Sequence, residues 1–259
     1  MAAATSTGGG NMRILLLNPN SSITMTQSMA LAAQETPVSQ TIKIDTYTAP
    51  AQAPASINDD VDIKASTTII LDGMGGLNLD KYDAVLVACF SVHSLVAQLS
   101  VRHPRLAVTG IFEASILSAL SLVSSDSTGE QWGILTTGDF WEKHLADGVS
   151  EFLGRDGNAQ DRKFCGVYST GLTAGDFHTV SPDEIRAKLR AATTQLVRAG
   201  NVACVVMGCG GMAGLEDIIR SAARDVYGHE RADKLYVVDG VKAGILQLHQ
   251  TINSRYTFR

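Results

Sequence analysis

Two lengths of hydrophobic segment alternate along this chain. Short runs rich in Val, Ile and Leu, typical of parallel strands buried on both faces, are separated by longer stretches with helical periodicity. This order predicts an α/β fold with mainly parallel strands. The predicted strands cover residues 13–17, 42–47, 84–88, 106–111, 132–135, 164–168, 203–208 and 235–238, and the predicted helices include 24–35, 61–71, 95–101, 141–152, 182–199 and 215–227.

The order of these segments repeats. A strand that runs into a polar turn at Asn18 is followed by a strand leading to Cys89, and a strand that runs into a polar turn at Thr136 is followed by one leading to Cys209 at a closely similar spacing. One further strand follows each cysteine. The repeat predicts two pseudo-symmetric lobes, each a four-stranded parallel sheet flanked by helices.

Composition excludes several classes of protein. A chain of 259 residues that is 45% hydrophobic can bury a core and is not disordered. No apolar run approaches the ~20 residues that span a bilayer, so no membrane association is expected. With 21 Lys and Arg against 26 Asp and Glu, and no basic run, nucleic acid is not an expected partner.

The four cysteines do not resemble a secreted disulfide framework, and the start of the chain lacks the pattern of a signal peptide. We therefore expect a cytoplasmic protein with reduced thiols and a small-molecule substrate. Neither a C-x-x-C pair nor an H-x-x-x-H cluster occurs, so no metal site is predicted. Cys165 and Cys204 lie inside predicted strands and are interpreted as core residues.

Cys89 and Cys209 are the candidate catalytic residues, because ligands of open parallel sheets bind beyond the carboxyl ends of the strands. Backbone N–H groups and a helix dipole at such a place favour a thiolate. Two facing thiols can invert a carbon acid: one base removes a proton from one face, and the other group returns a proton to the opposite face. No cofactor is required if hydrogen-bond donors stabilise the enolate.

Polar residues and glycines beside these strand ends are the candidate substrate-binding residues. Asn18 and Thr136 are the strongest, because they occupy matching positions, although turn formation and helix capping explain such residues equally well. Glu113 either orients a substrate or caps a helix. The full set is Asn18, Ser21, Phe90, Ser91, Glu113, Thr136, Thr137, Thr170, Gly210 and Gly211.

Four motifs resemble the aspartate/glutamate/hydantoin racemase superfamily: ILLLNPNSS at 14–22, ACFS at 88–91, STGL at 169–172 and GCGGMAGL at 208–215. The Asn-Pro-Asn opening points to the hydantoin and allantoin racemase branch. The resemblance implies an active site in the interlobe cleft and cofactor-independent two-base racemisation, by Cys89 and Cys209, of a 5-substituted hydantoin or allantoin. It also implies a homo-oligomer with interleaved lobes, in which the last strand and helix return to the first. The expected divisions are a disordered tail at 1–12, lobe 1 at 13–103 plus 222–259, and lobe 2 at 104–221.

The motif around Cys89 departs from the family pattern. Many relatives carry an aspartate after Ala-Cys-Phe-Ser, whereas Val92 and His93 follow here, and His93 is either a polar replacement or a helix-surface residue. Alternatives therefore stay open: an aspartate or glutamate racemase, a maleate isomerase-like enzyme, or a catalytically degenerate binder of a small ligand. The G-x-G-x-x-A pattern beginning at Gly208 also matches a dinucleotide fingerprint, but too little chain follows it for a nucleotide fold.

Overall fold

The computed structural model describes residues 12–123, 129–154 and 163–259. These residues form two all-parallel four-stranded sheets flanked by helices, which confirms the predicted fold class. The first sheet has the order β2-β1-β3-β4, with β1 Met12–Asn18, β2 Ile42–Thr48, β3 Ala84–Val87 and β4 Ala107–Gly110. The second has the order β6-β5-β7-β8, with β5 Gln131–Thr136, β6 Phe164–Ser169, β7 Val202–Met207 and β8 Tyr236–Asp239.

The helices alternate with these strands and cover their faces. They are α1 Ile23–Gln34, α2 Asp60–Gly73, α3 Ser94–Arg102, α4 Ile111–Leu122, α5 Phe140–Phe152, α6 Pro182–Ala199, α7 Glu216–Tyr227, α8 His229–Ala232 and α9 Gly240–Thr257. Polar caps begin several of them: Ser181 precedes Pro182 at the start of α6, and Asp239 accepts hydrogen bonds from the backbone of Val241 and Lys242 at the start of α9.

The same strand order in both sheets places equivalent strands in the middle. β1 and β3 of the first sheet, and β5 and β7 of the second, have neighbours on both sides, and their central residues are fully buried. This burial explains the nearly unbroken Val, Ile and Leu runs. The strand ends carrying polar turns and cysteines consequently lie at the carboxyl edge of each sheet.

The two halves exchange helices but not strands. α4 follows β4 of the first sheet and contacts β7 and β8 of the second, whereas α9 follows β8 and contacts β3 and β4 of the first. Gly240 of α9 permits close packing on α4, because a Cβ there would lie 3.2 Å from Ile111.

This arrangement corrects two expectations about the lobes. The last strand was expected to return to lobe 1, but β8 pairs with β7; only α9 returns. β4, inside the range assigned to lobe 2, pairs with β3 of the first sheet. The fourth strand of each half forms backbone hydrogen bonds with the third strand of the same sheet, so it extends that sheet. Only the helix that follows it packs against the other half.

Helix α4 was not predicted, and residue 111 was assigned to a strand. Its sequence is apolar on almost every side because it packs against both halves, so it lacks the polar face that marks a surface helix. The predicted disordered tail lies outside the described residues except for Met12, which begins β1. None of the described helices combines the length and apolar character needed to cross a bilayer.

Candidate active site

A small cavity lies where the carboxyl ends of the two sheets meet. Cys89 and Cys209 both line it, each two positions beyond the end of the third strand of its sheet. Its volume is about 30 Å³, which is room for a few water molecules. Two thiols from opposite halves of the molecule therefore reach one cavity.

The turn at Cys209 surrounds its thiol with backbone donors. Residues Gly210–Met212 form a short 3-10 helix, and the Cys209 Sγ accepts a hydrogen bond from the Gly211 N–H at 3.3 Å. Gly211 fits because a Cβ there would lie 3.2 Å from the carbonyl oxygen of Ala174 and 3.4 Å from the thiol. Glycine thus allows the main chain to approach the sulfur closely.

The turn at Cys89 uses a side chain instead. The Ser91 hydroxyl is fully buried and lies 3.4 Å from the Cys89 Sγ. Phe90 lines the cavity and packs edge-to-face on Phe112, with ring centroids 5.5 Å apart. The following helix begins only at Ser94. Its N-terminus was predicted to lie directly beside the thiol, but it does not.

Burial, not the helix terminus, dominates the acidity of both thiols. It raises the pKa of Cys89 to about 12 and the pKa of Cys209 to about 11, and the N–H groups of Gly211 and Met212 partly offset the effect at Cys209. The expectation of thiols made more acidic is therefore wrong for this cavity. Charge on Cys209 further raises the pKa of Cys89, so the pair favours one thiolate and one thiol over two thiolates.

The turn after β1 is held by an amide network around Asn18. The Asn18 Nδ2 donates to the Oδ1 of Asn20 at 2.9 Å and to the Thr26 hydroxyl at 2.9 Å, and its Oδ1 accepts from the Asn20 N–H. Asn18 is fully buried behind the cavity, whereas Asn20 lines it and donates from Nδ2 to the Met25 Sδ at 3.2 Å. Asn18 therefore positions Asn20.

The predicted substrate-binding residues divide into two groups. Phe90, Thr137, Gly210 and Gly211 line the cavity; Asn18, Ser21, Ser91, Glu113, Thr136 and Thr170 lie outside its lining. In the second group Ser21 donates to the carbonyl oxygen of Ala53, Thr136 to that of Gly208, and Thr170 to that of Thr137. These bonds fix the loops that carry the lining.

Glu113 lies in the first turn of α4 rather than at a strand end. Its carboxylate folds back over Gly110, the residue that caps this helix, and its Oε2 is buried without a hydrogen-bond partner in the described structure. Burial raises the pKa of Glu113, against the lowering effect of backbone N–H groups. It is not part of the cavity lining, but its charge contributes to the raised pKa of Cys89.

His93 is neither exposed nor directed into the cavity. It caps α3, its Nδ1 accepting from the Leu95 N–H at 3.3 Å and its Nε2 lying 3.2 Å from the Ser66 hydroxyl. Burial lowers the pKa of His93 to about 4, so the ring is neutral near pH 7. The prediction of a helix-surface histidine is wrong.

The sequence motifs did not identify most of the apolar lining. Five of the lining residues that were not predicted lie on helices and loops outside the motifs, and the other three lie inside motifs but were not selected as binding residues. The lining residues missing from the predicted set are Asn20, Met25, Met29, Ile57, Ala88, Trp141, Ala174 and Gly208.

The lining contains no Lys, Arg, His, Asp or Glu side chain. Across the described ranges, no group of three or more His, Cys, Asp or Glu side chains is arranged to hold a metal ion. The reactive groups at hand are two weakly acidic thiols, with the Asn20 amide and the Thr137 hydroxyl as polar neighbours. Such a set can accept a proton at one sulfur and deliver a proton from the other.

Comparisons of this sequence with a family profile and with known proteins point to the same family. A sequence profile described as Asp/Glu/hydantoin racemase matches residues 14–248. A hydantoin racemase of Paenarthrobacter aurescens is 30% identical over 78% of this chain and 79% of its own length. An uncharacterized protein of Schizosaccharomyces pombe is 29% identical over 90% of this chain and 89% of its own.

Among solved structures, an allantoin racemase from Pseudomonas fluorescens superposes with a TM-score of 0.71 at 22% identity, covering 93% of this chain and 91% of that one. This likeness shows the fold. Together with the profile match, it defines a two-sheet α/β enzyme of the isomerase class, as predicted. The chain belongs to the Asp/Glu/hydantoin racemase family.

Proposed function

We propose that this protein is a cofactor-independent racemase that inverts the C5 stereocentre of a hydantoin-type ring, with Cys89 and Cys209 as the two bases. One observation carries the proposal: thiols from equivalent turns of the two halves line a single cavity. A planar intermediate held between them would present one face to each sulfur, which is the geometry that a two-base inversion requires.

The two cysteines supply and accept every proton that the reaction moves. In one direction the Cys209 thiolate takes the C5 proton and the electron pair of the C–H bond moves onto the adjacent carbonyl, forming an enolate. The Cys89 thiol then gives its proton to C5 from the opposite face, leaving Cys209 as thiol and Cys89 as thiolate. The opposite enantiomer uses the same two groups in exchanged roles, so no oxidant or cofactor enters the reaction.

Hydrogen-bond donors for the enolate are part of the same lining. The Asn20 Nδ2 donates to a thioether sulfur, a weak acceptor that a charged oxygen would readily replace. The Thr137 hydroxyl is a second polar group in the lining. Donors aimed at a developing negative charge in a water-excluded site are among the largest contributions to catalysis.

The absence of charged side chains from the lining favours a neutral ring over a free amino acid. Aspartate and glutamate bring two carboxylates and an ammonium group, and burying these without partners costs several kcal/mol. A hydantoin carries its carbonyl and N–H groups without a fixed charge. The similarity to a hydantoin racemase supports this choice over the amino-acid racemase and maleate isomerase alternatives.

The test is proton exchange coupled to loss of optical activity. Enantiopure 5-methylhydantoin in D₂O should lose its C5 proton signal by NMR and its circular dichroism together, faster with the protein than in buffer alone. Cys89→Ala and Cys209→Ala should each lower the rate of inversion by about 10³-fold, whereas Cys165→Ala, which replaces a half-buried thiol outside the cavity, should not. Inversion at the unaltered rate by either of the first two variants would exclude the two-base scheme.

A further inference from the structure

Two methionines of α1 fill the space between the cysteine turns. Met25 and Met29 are 4% and 1% exposed, and both line the cavity. The Met29 Sδ lies only 2.7 Å from the position that a Cβ on Gly210 would take, so this thioether occupies the space left by a missing side chain next to Cys209. A helix of the first half thereby seals the cysteine turn of the second.

The cavity is too small for the proposed substrate while these side chains stay in place. Its volume of about 30 Å³ is small, whereas ligand pockets generally measure about 300–1,000 Å³. Binding therefore requires lining atoms to move. The thioethers suit this movement best, because methionine is unbranched and has three rotatable bonds, whereas Trp141 and Phe90 are rigid rings packed against neighbours.

Met29 packs directly against the turn that carries Cys209. It contacts Gly210, and the Cβ position of Gly210 is in turn 3.9 Å from the carbonyl oxygen of Ala88, the residue before Cys89. The Met25 sulfur instead is held by the Asn20 amide at 3.2 Å. A group attached to the reacting carbon would displace Met29 first.

We propose that Met29 determines which substituents at C5 of the substrate the site accepts. The substrates are hydantoins with an apolar alkyl or aryl group at C5. This inference rests on the proposed function. Besides Met29, the large side chains of the lining are mostly apolar and include Met25, Ile57 and Trp141. A ureido group at C5, as in allantoin, would lose its hydrogen bonds to water there, and each polar group left unpaired would weaken binding.

The first test measures substrate size. Met29→Ala should raise kcat/KM for 5-benzylhydantoin relative to 5-methylhydantoin by about tenfold, since one or two carbons in an apolar pocket change discrimination by that order. Met29→Leu, which conserves volume, should keep the ratio within about twofold. The unaltered protein should prefer 5-methylhydantoin or 5-isopropylhydantoin to allantoin, and a preference for allantoin would overturn the apolar assignment.

The second test does not depend on racemisation. The rates at which N-phenylmaleimide and iodoacetamide modify Cys209 are compared by mass spectrometry, with Cys165 as the internal standard. At Cys209, Met29→Ala should raise the rate of modification by N-phenylmaleimide relative to that by iodoacetamide about fivefold. At Cys165 the same ratio of rates should stay unchanged. An unchanged ratio at Cys209 would overturn the role of Met29 even in a protein that racemises hydantoins.

The two proposals fail separately. If no hydantoin exchanges its C5 proton, the proposed function fails, and the labelling ratio alone decides whether Met29 closes the cavity. Gly210→Ala serves as a second variant if Met29→Ala does not fold. The added methyl group should push the thioether further into the cavity. It should lower kcat/KM for 5-benzylhydantoin relative to 5-methylhydantoin, and the rate at which N-phenylmaleimide modifies Cys209 relative to iodoacetamide. An increase in either ratio would contradict the proposal.

Discussion

The turns that follow β3 and β7 carry their cysteines at equivalent positions, but they surround the sulfur with different groups. Around Cys209 the neighbours are Gly210 and Gly211, and a backbone N–H donates to the thiol. Around Cys89 they are Phe90 and Ser91, and a hydroxyl lies beside the thiol. The pKa of Cys209 is raised to about 11 and that of Cys89 to about 12, so the glycine-rich turn holds the more acidic thiol.

The difference shows how a repeated fold can give similar groups unequal roles. A donated backbone N–H stabilises the charged sulfur without a side chain, but it requires glycines that let the main chain approach. A hydroxyl can act as donor or acceptor and also suits the neutral thiol. Both thiols keep their protons near pH 7, because both pKa values lie far above it, and we infer that Cys209, with its backbone N–H donor, is the first of the two to ionise.

The largest expected effect tests whether both turns are needed for inversion. Cys89→Ala and Cys209→Ala should each lower the rate of inversion by about 10³-fold, because each removes one of two proton-transfer groups. In D₂O each variant should still exchange the C5 proton of one enantiomer slowly, and the two variants should act on opposite enantiomers. NMR of each enantiomer measures this; exchange of the same enantiomer by both variants would contradict the opposed arrangement.

The second effect concerns the residues that precede the cysteines, Ala88 and Gly208. A Cβ at Gly208 would lie 2.5 Å from the backbone oxygen of Leu135, so Gly208→Ala should lower the free energy of unfolding by about 3 kcal/mol. Ala88→Gly is the matched change in the other half and should cost less than about 1 kcal/mol. Urea titration checks both values; equal losses would mean that the two turns pack alike.

The third effect belongs to the Cys89 side, where His93 caps α3. Its pKa is lowered to about 4 from 6.5, so the folded state favours the neutral ring; this stability is present above pH 6.5 and is lost as the pH falls towards 4. Between about pH 7.5 and 5 the free energy of unfolding should fall about 2 kcal/mol more than in His93→Asn, which keeps a capping side chain. Parallel urea titrations at the two pH values measure the difference. The same pH dependence in both proteins would show that the pKa of His93 does not differ between the folded and unfolded states.

The smallest effect separates the two thiols directly. Below pH 10 iodoacetamide should modify Cys209 about threefold to fourfold faster than Cys89, because its lower pKa gives more thiolate although each thiolate is less nucleophilic. Both rates should rise with pH. Ser91→Ala should slow Cys89 and leave Cys209 unchanged, as followed by peptide mass spectrometry, and faster labelling of Cys89 in the unaltered protein would reverse the assignment.

Local pattern predicted the strands and the order of the site motifs. All eight predicted strands are present, and α6 has the predicted bounds, because Ser181, Pro182 and the acidic residues after them specify a helix start locally. The two cysteines were found from their position after buried strands. Asn18 and Thr136 were also expected at the strand ends, but their side chains support the turns from behind the cavity.

Longer-range features could not be predicted in this way. The exchange of α4 and α9 depends on which sheet each helix packs against, and both helices follow the fourth strand of their own half. Met29 and Trp141 line the cavity, yet their spacing is that of ordinary buried helix positions. No sequence signal separates a methionine in a core from one in a binding cavity.

The amino-acid sequence by itself determined the alternation of strands and helices, the repeat and the chemical groups available, since these depend on neighbours a few residues apart. Only the tertiary structure decided that two thiols share one cavity, that burial raises the pKa of each, and that α1 closes the space between them. Acidity and cavity size depend on atoms brought together from distant parts of the chain, and periodicity carries no information about those distances.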